Sequence, residues 1–485
     1  MKLKNSCYKL KVILLITLLF PAYLVVSAQD KSKAKPNIIF IFADDLGWGD
    51  LSCYGNNRVK TPELDRLASE GTLFTQFYVA GSVCSPSRAA IMTGQYPARN
   101  RIFGHIARKE MNEQRKMPSA LNPDLYTLTD MLKEQGYTTA HFGKWHLGNV
   151  YNVSPEDFIS PGDYGIDVYR TDKSANTEAA KGLDIWSPKA RPTCTKDILD
   201  EAARFIEKQD GKPFYANVWF TDVHATLNPS KEQMERVTRE NGGQKPIPGV
   251  EYSGVEHVYH AALLEMDKQI GLFLDKLNKM GLRENTLIIF SSDNGPEDYQ
   301  INNSRHSGVG STGPFRGRKR SIYEGGIRVP FILRWPGQVP AQKVNDQSVI
   351  NGVDFLPTIA GIIGVKLPGQ LVLDGEDMSK AWMGADTKRE RTLYWEWRYS
   401  VFGHMVNRPP MIAVRDGDYK LLINPNGTRP ELYNIIDDPS ELMNLINEKP
   451  KLVKELSAKA IAWFNELPES PWDSDAGANS WKIPK

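Results

Sequence analysis

Cysteine is scarce in this sequence, with four among 485 residues. The four lie far apart, at positions 7, 53, 84 and 194, and no Cys-x-x-Cys spacing occurs. Zinc sites held by thiolates need closely spaced cysteines, so this scatter argues against such a site.

Strong net charge of either sign is also missing. Lysine and arginine total 60 against 58 acidic residues, which leaves a formal charge of +2. No basic run stands out as a stripe along a phosphate backbone, so nucleic acid is not an expected partner. Internal repeats and low-complexity tracts are lacking as well. The 41% apolar content and the length predict a globular chain with one large domain and a smaller one.

The one long apolar run that the sequence offers as a targeting segment lies at the N-terminus. Four lysines precede the stretch from Val12 to Val26, and a small-residue segment ends at Ala28. This order predicts a signal peptide over residues 1–28, cleaved near Ala28, and a periplasmic or secreted protein. An uncleaved membrane anchor is the alternative, but the run is short for a bilayer and Pro21 interrupts it. No stable membrane span is expected after cleavage.

Loss of Cys7 with the signal leaves three cysteines, an odd number for an oxidising compartment. One interpretation is a disulfide plus a spare thiol, and whether Cys53 and Cys194 pair stays open. The other is that one cysteine is chemically special. Cys84 is the candidate, because it lies in the organised context Cys-Ser-Pro-Ser-Arg.

Apolar strands alternate with amphipathic helices through most of the chain. The pattern predicts strands within 37–42, 137–148, 213–224 and 285–295, and a helix over 259–277. This alternation indicates an α/β fold in which a large, mostly parallel sheet is sandwiched by helices, over residues 36–384. Short strand patterns around an Asp-Gly turn then indicate a smaller C-terminal α+β subdomain with an antiparallel sheet, over residues 385–485.

Polar side chains follow two of the predicted strands. Asp44 and Asp45 come after the first strand, and Asp293 and Asn294 come after the last. Such residues most often form turns. Ligands gather beyond the carboxyl ends of parallel strands, however, and these oxygens together suit Ca²⁺ or Mg²⁺.

The stretch around Cys84 predicts the start of a helix. Ser85 is expected as the N-cap, Pro86 as the first helical residue and Gly94 as the stop, which would put Cys84 just before the positive end of the helix. A thiol with a lowered pKa, or a nucleophilic cysteine with a histidine base, is one interpretation. It is disfavoured because strand-end acids with a cation would add nothing to such a mechanism.

These segments together resemble the type I sulfatases, the formylglycine-dependent, arylsulfatase-like family of the alkaline phosphatase superfamily. The resemblance covers about residues 35–444, nearly the whole mature chain. It rests on five motifs in family order, which are FADDLGWGD at 42–50, CSPSR at 84–88 with Thr93-Gly94 after it, GKWHLG at 143–148, SSDNG at 291–295 and FRGRKRSIYEGGIRVP at 315–330.

The resemblance implies that Cys84 is oxidised to formylglycine (3-oxoalanine) by a sulfatase-maturating enzyme, and that its hydrate is the nucleophile. It further implies one Ca²⁺ ion, with Mg²⁺ left open. The implied roles are as follows: Asp44, Asp45, Asp293, Asn294 and residue 84 bind the cation; Arg88 holds the hydrate; Lys144, His224 and Lys319 bind sulfate; His146 takes the hydroxyl proton; His224 and Lys319 protonate the leaving alcohol.

Two places depart from the family pattern. Val223 stands before His224 where the family usually has proline, and Arg318 stands before Lys319 where the family usually has glycine.

The Lys144–His146 spacing is expected to place both side chains on one side of an extended backbone. Trp48, Trp145 and Trp219 could provide stacking surfaces for a sugar, although tryptophans are usually core residues.

The predicted function is hydrolysis of O-sulfate esters, with a sulfated carbohydrate as the expected substrate of an exported enzyme. The alternatives are a phosphomonoester or phosphonate hydrolase of the same superfamily and a non-catalytic glycan-binding relative. The sugar, the sulfated position, exo or endo action and the oligomeric state stay open. Loops on a rigid scaffold usually carry specificity, and the candidates in the two flanking loops are Arg101, His105, Arg305 and His306.

Overall fold

A computed structural model describes residues 35–148, 159–171, 183–240, 251–298, 306–401 and 403–479. The predicted signal peptide lies outside the described residues. The strands are β1 (Asn37–Ala43), β2 (Thr72–Phe74), β3 (Phe77–Tyr78), β4 (Thr138–Gly143), β5 (Val168–Thr171), β6 (Phe214–Trp219), β7 (Thr286–Ser292), β8 (Phe331–Arg334), β9 (Lys343–Asn345), β10 (Ile350–Asn351), β11 (Leu393–Glu396), β12 (Ile412–Asp416), β13 (Tyr419–Ile423) and β14 (Glu431–Asn434). The α-helices are α1 (Pro62–Ser69), α2 (Cys84–Thr93), α3 (Lys109–Gln114), α4 (Leu128–Glu134), α5 (Cys194–Ile206), α6 (Lys231–Glu240), α7 (Glu251–Lys279), α8 (Glu324–Ile327), α9 (Phe355–Ile362), α10 (Ser379–Trp382) and α11 (Pro450–Glu466).

The central sheet has eight strands in the order β5-β4-β6-β1-β7-β8-β2-β9. Among these eight, only β8 runs antiparallel to its neighbours, β7 and β2. The first strand, β1, lies between β6 and β7 and pairs with both in parallel. The predicted large, mostly parallel sheet is therefore confirmed, and the chain segments after β1, β4, β6 and β7 leave it at the same edge.

The central strand β1 is apolar from Ile38 to Ala43 because helices cover both faces of the sheet. Successive side chains of a strand point to opposite faces. Ile38, Phe40 and Phe42 accordingly join one buried cluster with residues of α2, α4 and α9, whereas Ile39 and Ile41 join a second cluster with residues of α1, α5 and α7. This two-sided burial confirms the sandwich of helices around the sheet.

The C-terminal part forms a separate four-stranded antiparallel sheet in the order β11-β12-β13-β14. Gly417, at a φ of 58°, makes the predicted turn between β12 and β13. Helix α11 buries Leu456 and Trp463 on this side of the molecule, in the same cluster as one face of the central sheet. The predicted antiparallel sheet is confirmed, and the domain boundary at residue 385 stays a prediction.

The three cysteines in the described residues, Cys53, Cys84 and Cys194, are free thiols in the structure. The interpretation of one disulfide plus a spare thiol is therefore wrong for this fold. Among the described residues, no helix combines the length and the apolar character that crossing a membrane requires.

Candidate active site

The four predicted cation ligands meet at one edge of the sheet. Asp44 and Asp45 follow β1, Asp293 and Asn294 follow the neighbouring β7, and none of the four is exposed. The side-chain amide of Asn294 donates to Oδ1 of Asp45 at 2.7 Å, and the backbone N–H of Asp45 donates to Oδ1 of Asp293 at 3.2 Å. Residues about 250 positions apart in the sequence therefore form one oxygen-rich cluster.

Two buried lysines neutralise the first two acids. Nζ of Lys144, just after β4, lies 2.6 Å from Oδ2 of Asp44, and Nζ of Lys319 lies 2.6 and 2.8 Å from the carboxylate oxygens of Asp45. Burial has the largest single effect on Lys144 and opposes its charge, but Asp44 and the other negative groups nearby together outweigh it, so the pKa of Lys144 is raised. Burial likewise opposes the charge on Lys319, yet Asp45 and Glu297 raise the pKa of this lysine. Both side chains are held as ammonium ions at a site that water barely reaches.

The oxygen cluster fits a hard divalent cation. In the described part of the chain, Oδ1 of Asp44 and Oδ1 of Asn294 are buried without a hydrogen-bond donor, and buried polar atoms normally have a partner. Burial raises the pKa of both Asp45 and Asp293, and the nearby carboxylate of Asp44 adds to this effect in each case. Carboxylate and amide oxygens are the ligands that Ca²⁺ and Mg²⁺ prefer.

A histidine also lies close to this cluster. One ligand atom each from Asp44, Asp45 and His224 lie within 4.8 Å of one another, a spacing that could hold a metal ion. The sequence predicted the two acids as ligands but predicted His224 for sulfate binding and proton donation. His224 therefore lies at the boundary between the predicted cation site and the predicted sulfate site.

Cys84 lies in the first turn of helix α2, directly beside the charged cluster. The helix begins at Cys84 with Val83 as its N-cap, so the predicted N-cap Ser85 is wrong by two residues. The hydroxyl of Ser85 instead donates to the carbonyl of His146 at 2.8 Å and accepts from the N–H of Ile106 at 3.0 Å. Because the Ser85 hydroxyl is hydrogen-bonded to two neighbouring loops rather than to its own helix, α2 is fixed against the segment after β4.

The Cys84 side chain is 3% exposed. Burial raises the pKa of its thiol, even though the charges of Lys144 and Lys319 act in the opposite direction. The interpretation of a thiol with a lowered pKa is therefore wrong for the unmodified residue. An unmodified Cys84 is a neutral thiol, which is a weak nucleophile.

His146 does not follow the extended backbone that its spacing from Lys144 predicted. Strand β4 ends at Gly143, and His146 has a φ of 55°, in the left-handed region. Its Nε2 lies 3.0 Å from the carbonyl oxygen of Ile106, which can only accept, so Nε2 carries the hydrogen. Nδ1 keeps a lone pair and, in the described structure, has no partner. Burial lowers the pKa of His146, so the ring is neutral and can accept a proton at Nδ1.

The His224 ring is fixed in a similar way on the loop after β6. Its Nδ1–H donates to the carbonyl of Ala225, and Nε2 lies 3.7 Å from Oδ2 of Asp45. Burial, aided by the positive charge of Lys319, lowers the pKa of His224 to about 3, so its ring is neutral in the ligand-free site. Sequence reasoning missed Arg191, which is buried and donates to the carbonyl of His224 and to the hydroxyl of Thr221. This arginine holds the His224 loop in place.

Sequence reasoning also missed two residues beside Lys319, which are Glu297 and Arg320. Glu297 binds Arg320 and lies 3.5 Å from Nζ of Lys319. Burial opposes its charge, but Lys319 and Arg320 outweigh burial, so the pKa of Glu297 is lowered. The departure at Arg318 also has an explanation, because its guanidinium donates to the carbonyls of Glu297, Gly308 and Gly310 and so braces the loop before Lys319.

The tryptophans near the site differ in how much of each is exposed to solvent. Trp145 and Trp219 are 3% and 0% exposed and stack on each other, so their predicted role as sugar-stacking surfaces is wrong. Trp48 packs against Tyr54 and Phe315. Sequence reasoning missed Trp186, which is 38% exposed and lies beside Lys144 and His224.

The predicted specificity residues occupy different surroundings. The His105 ring lies 6.5 Å from that of His146, next to the site. Arg101 is exposed and donates to the carbonyl of Glu469. His306 is half-buried just before a short turn at 307–309, and Arg305 lies outside the described residues. Of the three that the structure describes, His105 has the clearest geometric link to the charged cluster.

Comparisons with known families agree with this geometry. The family model described as Sulfatase matches residues 36–365. A second model, described as N-sulphoglucosamine sulphohydrolase, C-terminal, matches residues 313–464 and so includes the antiparallel sheet. The two matches together span most of the described chain.

Individual relatives and structures give the same result. The chain is 30% identical to an N-acetylgalactosamine-6-O-sulfatase of Bacteroides thetaiotaomicron, over 88% of this chain and 93% of the relative. It is 34% identical to an N-acetylgalactosamine-6-sulfatase of Canis lupus familiaris, over 77% of this chain and 71% of the relative. The crystal structure of Ps i-CgsB in complex with k-i-k-neocarrahexaose is similar with a TM-score of 0.71 at 26% identity, covering 92% of this chain and 96% of that one.

Proposed function

This chain belongs to the sulfatase family and has its alkaline phosphatase-like fold, and from that premise we propose that it removes O-sulfate from a carbohydrate by means of a formylglycine made from Cys84 and one bound Ca²⁺ ion. The enzyme class is that of the sulfuric ester hydrolases, as in its relatives. The cofactors, the residue roles and the choice of substrate are the proposal.

One observation carries the proposal: the two buried ammonium groups, the oxygen cluster and Cys84 lie together at one edge of the central sheet. Lys144 and Lys319 each lie within 2.6 Å of a cluster acid, and the charges of both act on Cys84. A sulfate ester repels nucleophiles through its own negative oxygens. Positive groups beside the nucleophile offset that repulsion, and they do so most strongly where water is excluded.

The cation would be held by Asp44, Asp45, Asp293 and Asn294, with residue 84 as a further ligand. The two buried oxygens that lack donors, on Asp44 and Asn294, support this assignment. A bound Ca²⁺ ion supplies a hard Lewis acid that polarises an oxygen of the nucleophile or of the sulfate. It would also compete with Lys144 and Lys319 for the carboxylates and so leave these ammonium groups available to a sulfate.

Residue 84 requires a modification before it can serve. A formylglycine supplies a hydrated aldehyde with two hydroxyl groups, which a cysteine or serine lacks. The position of residue 84 in the first turn of α2 supports this role, because an anion formed there would lie at the positive end of the helix. Arg88, on the same helix, is proposed to orient the modified residue, and a sulfatase-maturating enzyme is the proposed partner that makes it.

In each of the two histidines, one N–H is bound to a backbone carbonyl and the other ring nitrogen is unprotonated. His146 offers an unprotonated Nδ1, because its Nε2–H is committed to the Ile106 carbonyl, so it is proposed to take the hydroxyl proton. His224 offers Nε2, because its Nδ1–H is committed to Ala225, so it is proposed to take up a proton from solvent at Nε2 when the substrate binds and then to protonate the leaving alcohol together with Lys319. A sulfate between the lysines would offset their charge and thereby raise the pKa of His224.

Export is part of the same proposal, with residues 1–28 as a cleaved signal and a periplasmic or secreted location. A sulfated carbohydrate as substrate is supported by relatives that are named for 6-sulfated N-acetylgalactosamine. The phosphomonoester or phosphonate alternative is disfavoured by the family match. A non-catalytic glycan-binding role is disfavoured because the expected residue type is present at each proposed catalytic position.

The proposal is tested by producing the protein with and without a sulfatase-maturating enzyme. Mass spectrometry of the peptide 81–88 should show formylglycine only with the maturase, and only that material should cleave sulfate esters. Cys84→Ala should abolish turnover, whereas Cys53→Ser, a matched change at a free thiol outside the site, should retain it. Fully active protein with unmodified Cys84 would overturn the mechanism. Faster cleavage of 4-nitrophenyl phosphate than of 4-nitrophenyl sulfate would instead favour the phosphate alternative.

A further inference from the structure

Trp186 presents a partly exposed indole beside Lys144 and His224. Its ring centroid lies 5.7 Å from the ring centroid of His224, and Nζ of Lys144 lies 5.6 Å from the indole centroid. The side chain is 38% exposed, whereas Trp145 and Trp219 are buried. Apolar surface that stays open to solvent beside a polar site is a common feature of ligand-binding pockets.

The backbone around Trp186 is held on both sides. Ile185 is 1% exposed, and its carbonyl accepts from Arg191 at 3.4 Å. The carboxylate of Asp184 accepts from the N–H and the hydroxyl of Ser187, at 3.0 and 2.6 Å. A platform that is fixed before the ligand arrives loses less conformational entropy on binding. Arg191 also holds the His224 loop, so the indole and the His224 ring are positioned by one guanidinium.

We infer that Trp186 is the stacking platform for the sugar ring that carries the sulfate, an inference that rests on the proposed function. With the sulfate between Lys144 and Lys319 and its ester oxygen at His224, the carbon that bears this oxygen lies beside His224. The sugar-ring atoms beyond this carbon, on the side away from the sulfate, then reach the indole of Trp186, which borders both His224 and Lys144. One face of a pyranose presents C–H groups that pack on an aromatic ring, and its hydroxyls remain hydrated at the ring edge.

Steady-state kinetics of the matured enzyme test this role. The variants are Trp186→Leu, which keeps apolar bulk without an aromatic face, and Trp186→Phe, which keeps a smaller one. Trp472→Leu is the matched control, because Trp472 is 53% exposed in the C-terminal segment against Phe464. The substrates are 6-O-sulfated N-acetylgalactosamine and a panel of other sulfated hexoses, and inorganic sulfate is the competing inhibitor.

For the best-cleaved sugar, Trp186→Leu should raise KM about tenfold and leave kcat within about twofold, because an aromatic contact stabilises bound sugar and transition state alike. Trp186→Phe should give a smaller rise, and Trp472→Leu none. The inhibition constant of inorganic sulfate should not change, since sulfate alone does not reach the platform.

Two outcomes would overturn the inference. One is an unchanged KM for the sugar in Trp186→Leu. The other is an equal weakening of inorganic sulfate, which would mean that Trp186 only shapes the surroundings of Lys144 and His224. Failure of the proposed function would look different, because the matured parent enzyme itself would then cleave no sulfated sugar.

Discussion

Nη2 of Arg88 lies 2.7 Å from Oδ2 of Asp293, and neither side chain is exposed to solvent. The same guanidinium donates through Nη1 to the carbonyl oxygen of Lys144 at 2.8 Å. One arginine therefore ties helix α2 to the ends of strands β4 and β7. Helix α2 carries Cys84, the segment after β4 carries the predicted sulfate ligand Lys144, and the segment after β7 carries the predicted cation ligand Asp293.

Arg88→Met is expected to destabilise the fold by about 3–5 kcal/mol, because it leaves the carboxylate of Asp293 buried and without its partner. Arg58→Ala is the control, since Arg58 pairs with Glu256 on the surface with 68% of its side chain exposed, and such pairs contribute at most about 1 kcal/mol. Urea unfolding followed by circular dichroism measures both. Equal losses would mean that Arg88 does not bind its neighbours as the structure indicates.

Asn294→Ala is expected to lower bound calcium and turnover together, because it removes a ligand oxygen from the cluster. Calcium should raise the Tm of the parent, since a ligand of the folded state stabilises it by mass action, and it should do so less in the variant. Asp267→Asn is the matched control: this buried carboxylate accepts from the N–H groups of Glu63 and Leu64, outside the cluster. It should lower Tm but keep the metal content, measured by atomic emission. If a chelator changes neither turnover nor Tm in the parent, the strand-end residues only form turns.

His224→Ala is expected to slow the removal of sulfate from a sugar about 10²–10⁴-fold, the usual contribution of a general acid. A sugar alcohol needs a proton as it leaves, whereas a nitrophenolate hardly does, so 4-nitrophenyl sulfate should be affected far less. His257→Ala serves as the control, because its ring contacts the carbonyl of Met234 away from the site. Equal losses on both substrates would indicate that His224 binds sulfate instead of donating a proton.

The loop candidates Arg101, His105, Arg305 and His306 are expected to include at least one contact to a sugar hydroxyl. The largest effect is expected at His105, whose ring lies 6.5 Å from that of His146. Loss of a buried polar contact costs about 1–3 kcal/mol, so His105→Ala should lower kcat/KM on the sugar about 5- to 150-fold and spare a small aryl sulfate. Specificity lies elsewhere if all four alanine variants keep the parent's kcat/KM on the sugar.

A buried charge cluster between the two sheets should make stability depend on pH. The ammonium of Lys420 lies 2.9 Å from Glu324 and 3.0 Å from Glu441, and none of the three is exposed. Burial raises the pKa of Glu441 to about 7 from its usual 4.5, and the charge of Glu324 adds to this. The pKa of Glu324 is lowered to about 2, because Lys420 and Arg328 outweigh its burial.

The folded state therefore holds a proton on Glu441 more tightly than the unfolded state does. The resulting stability is fully present below about pH 4.5 and is lost as pH rises through 7. Glu324 does not contribute in this window, because its carboxylate is charged in both states there. Between pH 5 and 8 the free energy of unfolding should fall by about 3 kcal/mol at most, since each pKa unit corresponds to about 1.4 kcal/mol.

Glu441→Gln should flatten this slope, because glutamine does not titrate. Glu448→Gln, at an exposed position, should retain the slope of the parent. Urea unfolding at several pH values between 5 and 8 gives the slopes. An unchanged slope in Glu441→Gln would show that another group titrates in this window.

The sequence alone determined the fold class and the polar edge of the sheet. The run Ile38–Phe42 is short, apolar at every position and rich in β-branched residues, which favours a strand covered on both faces, and Asp44 and Asp45 follow after Ala43. Patterns of this kind are local, because neighbouring residues in the sequence indicate both that a strand is buried and where it ends. The five motifs likewise identified Cys84 and the residues around it before any geometry was known.

Only the tertiary structure decided which groups meet. The Arg88–Asp293 contact joins residues 205 positions apart, and the Lys319–Asp45 contact joins residues 274 apart. The protonated nitrogen of His146 depends on a carbonyl 40 residues away, and the exposure of Trp186 and the burial of Trp145 depend on packing. No periodicity or spacing encodes such pairs, because the free energy of a buried charge or ring is set by its neighbours in space, which chain folding brings together from distant positions.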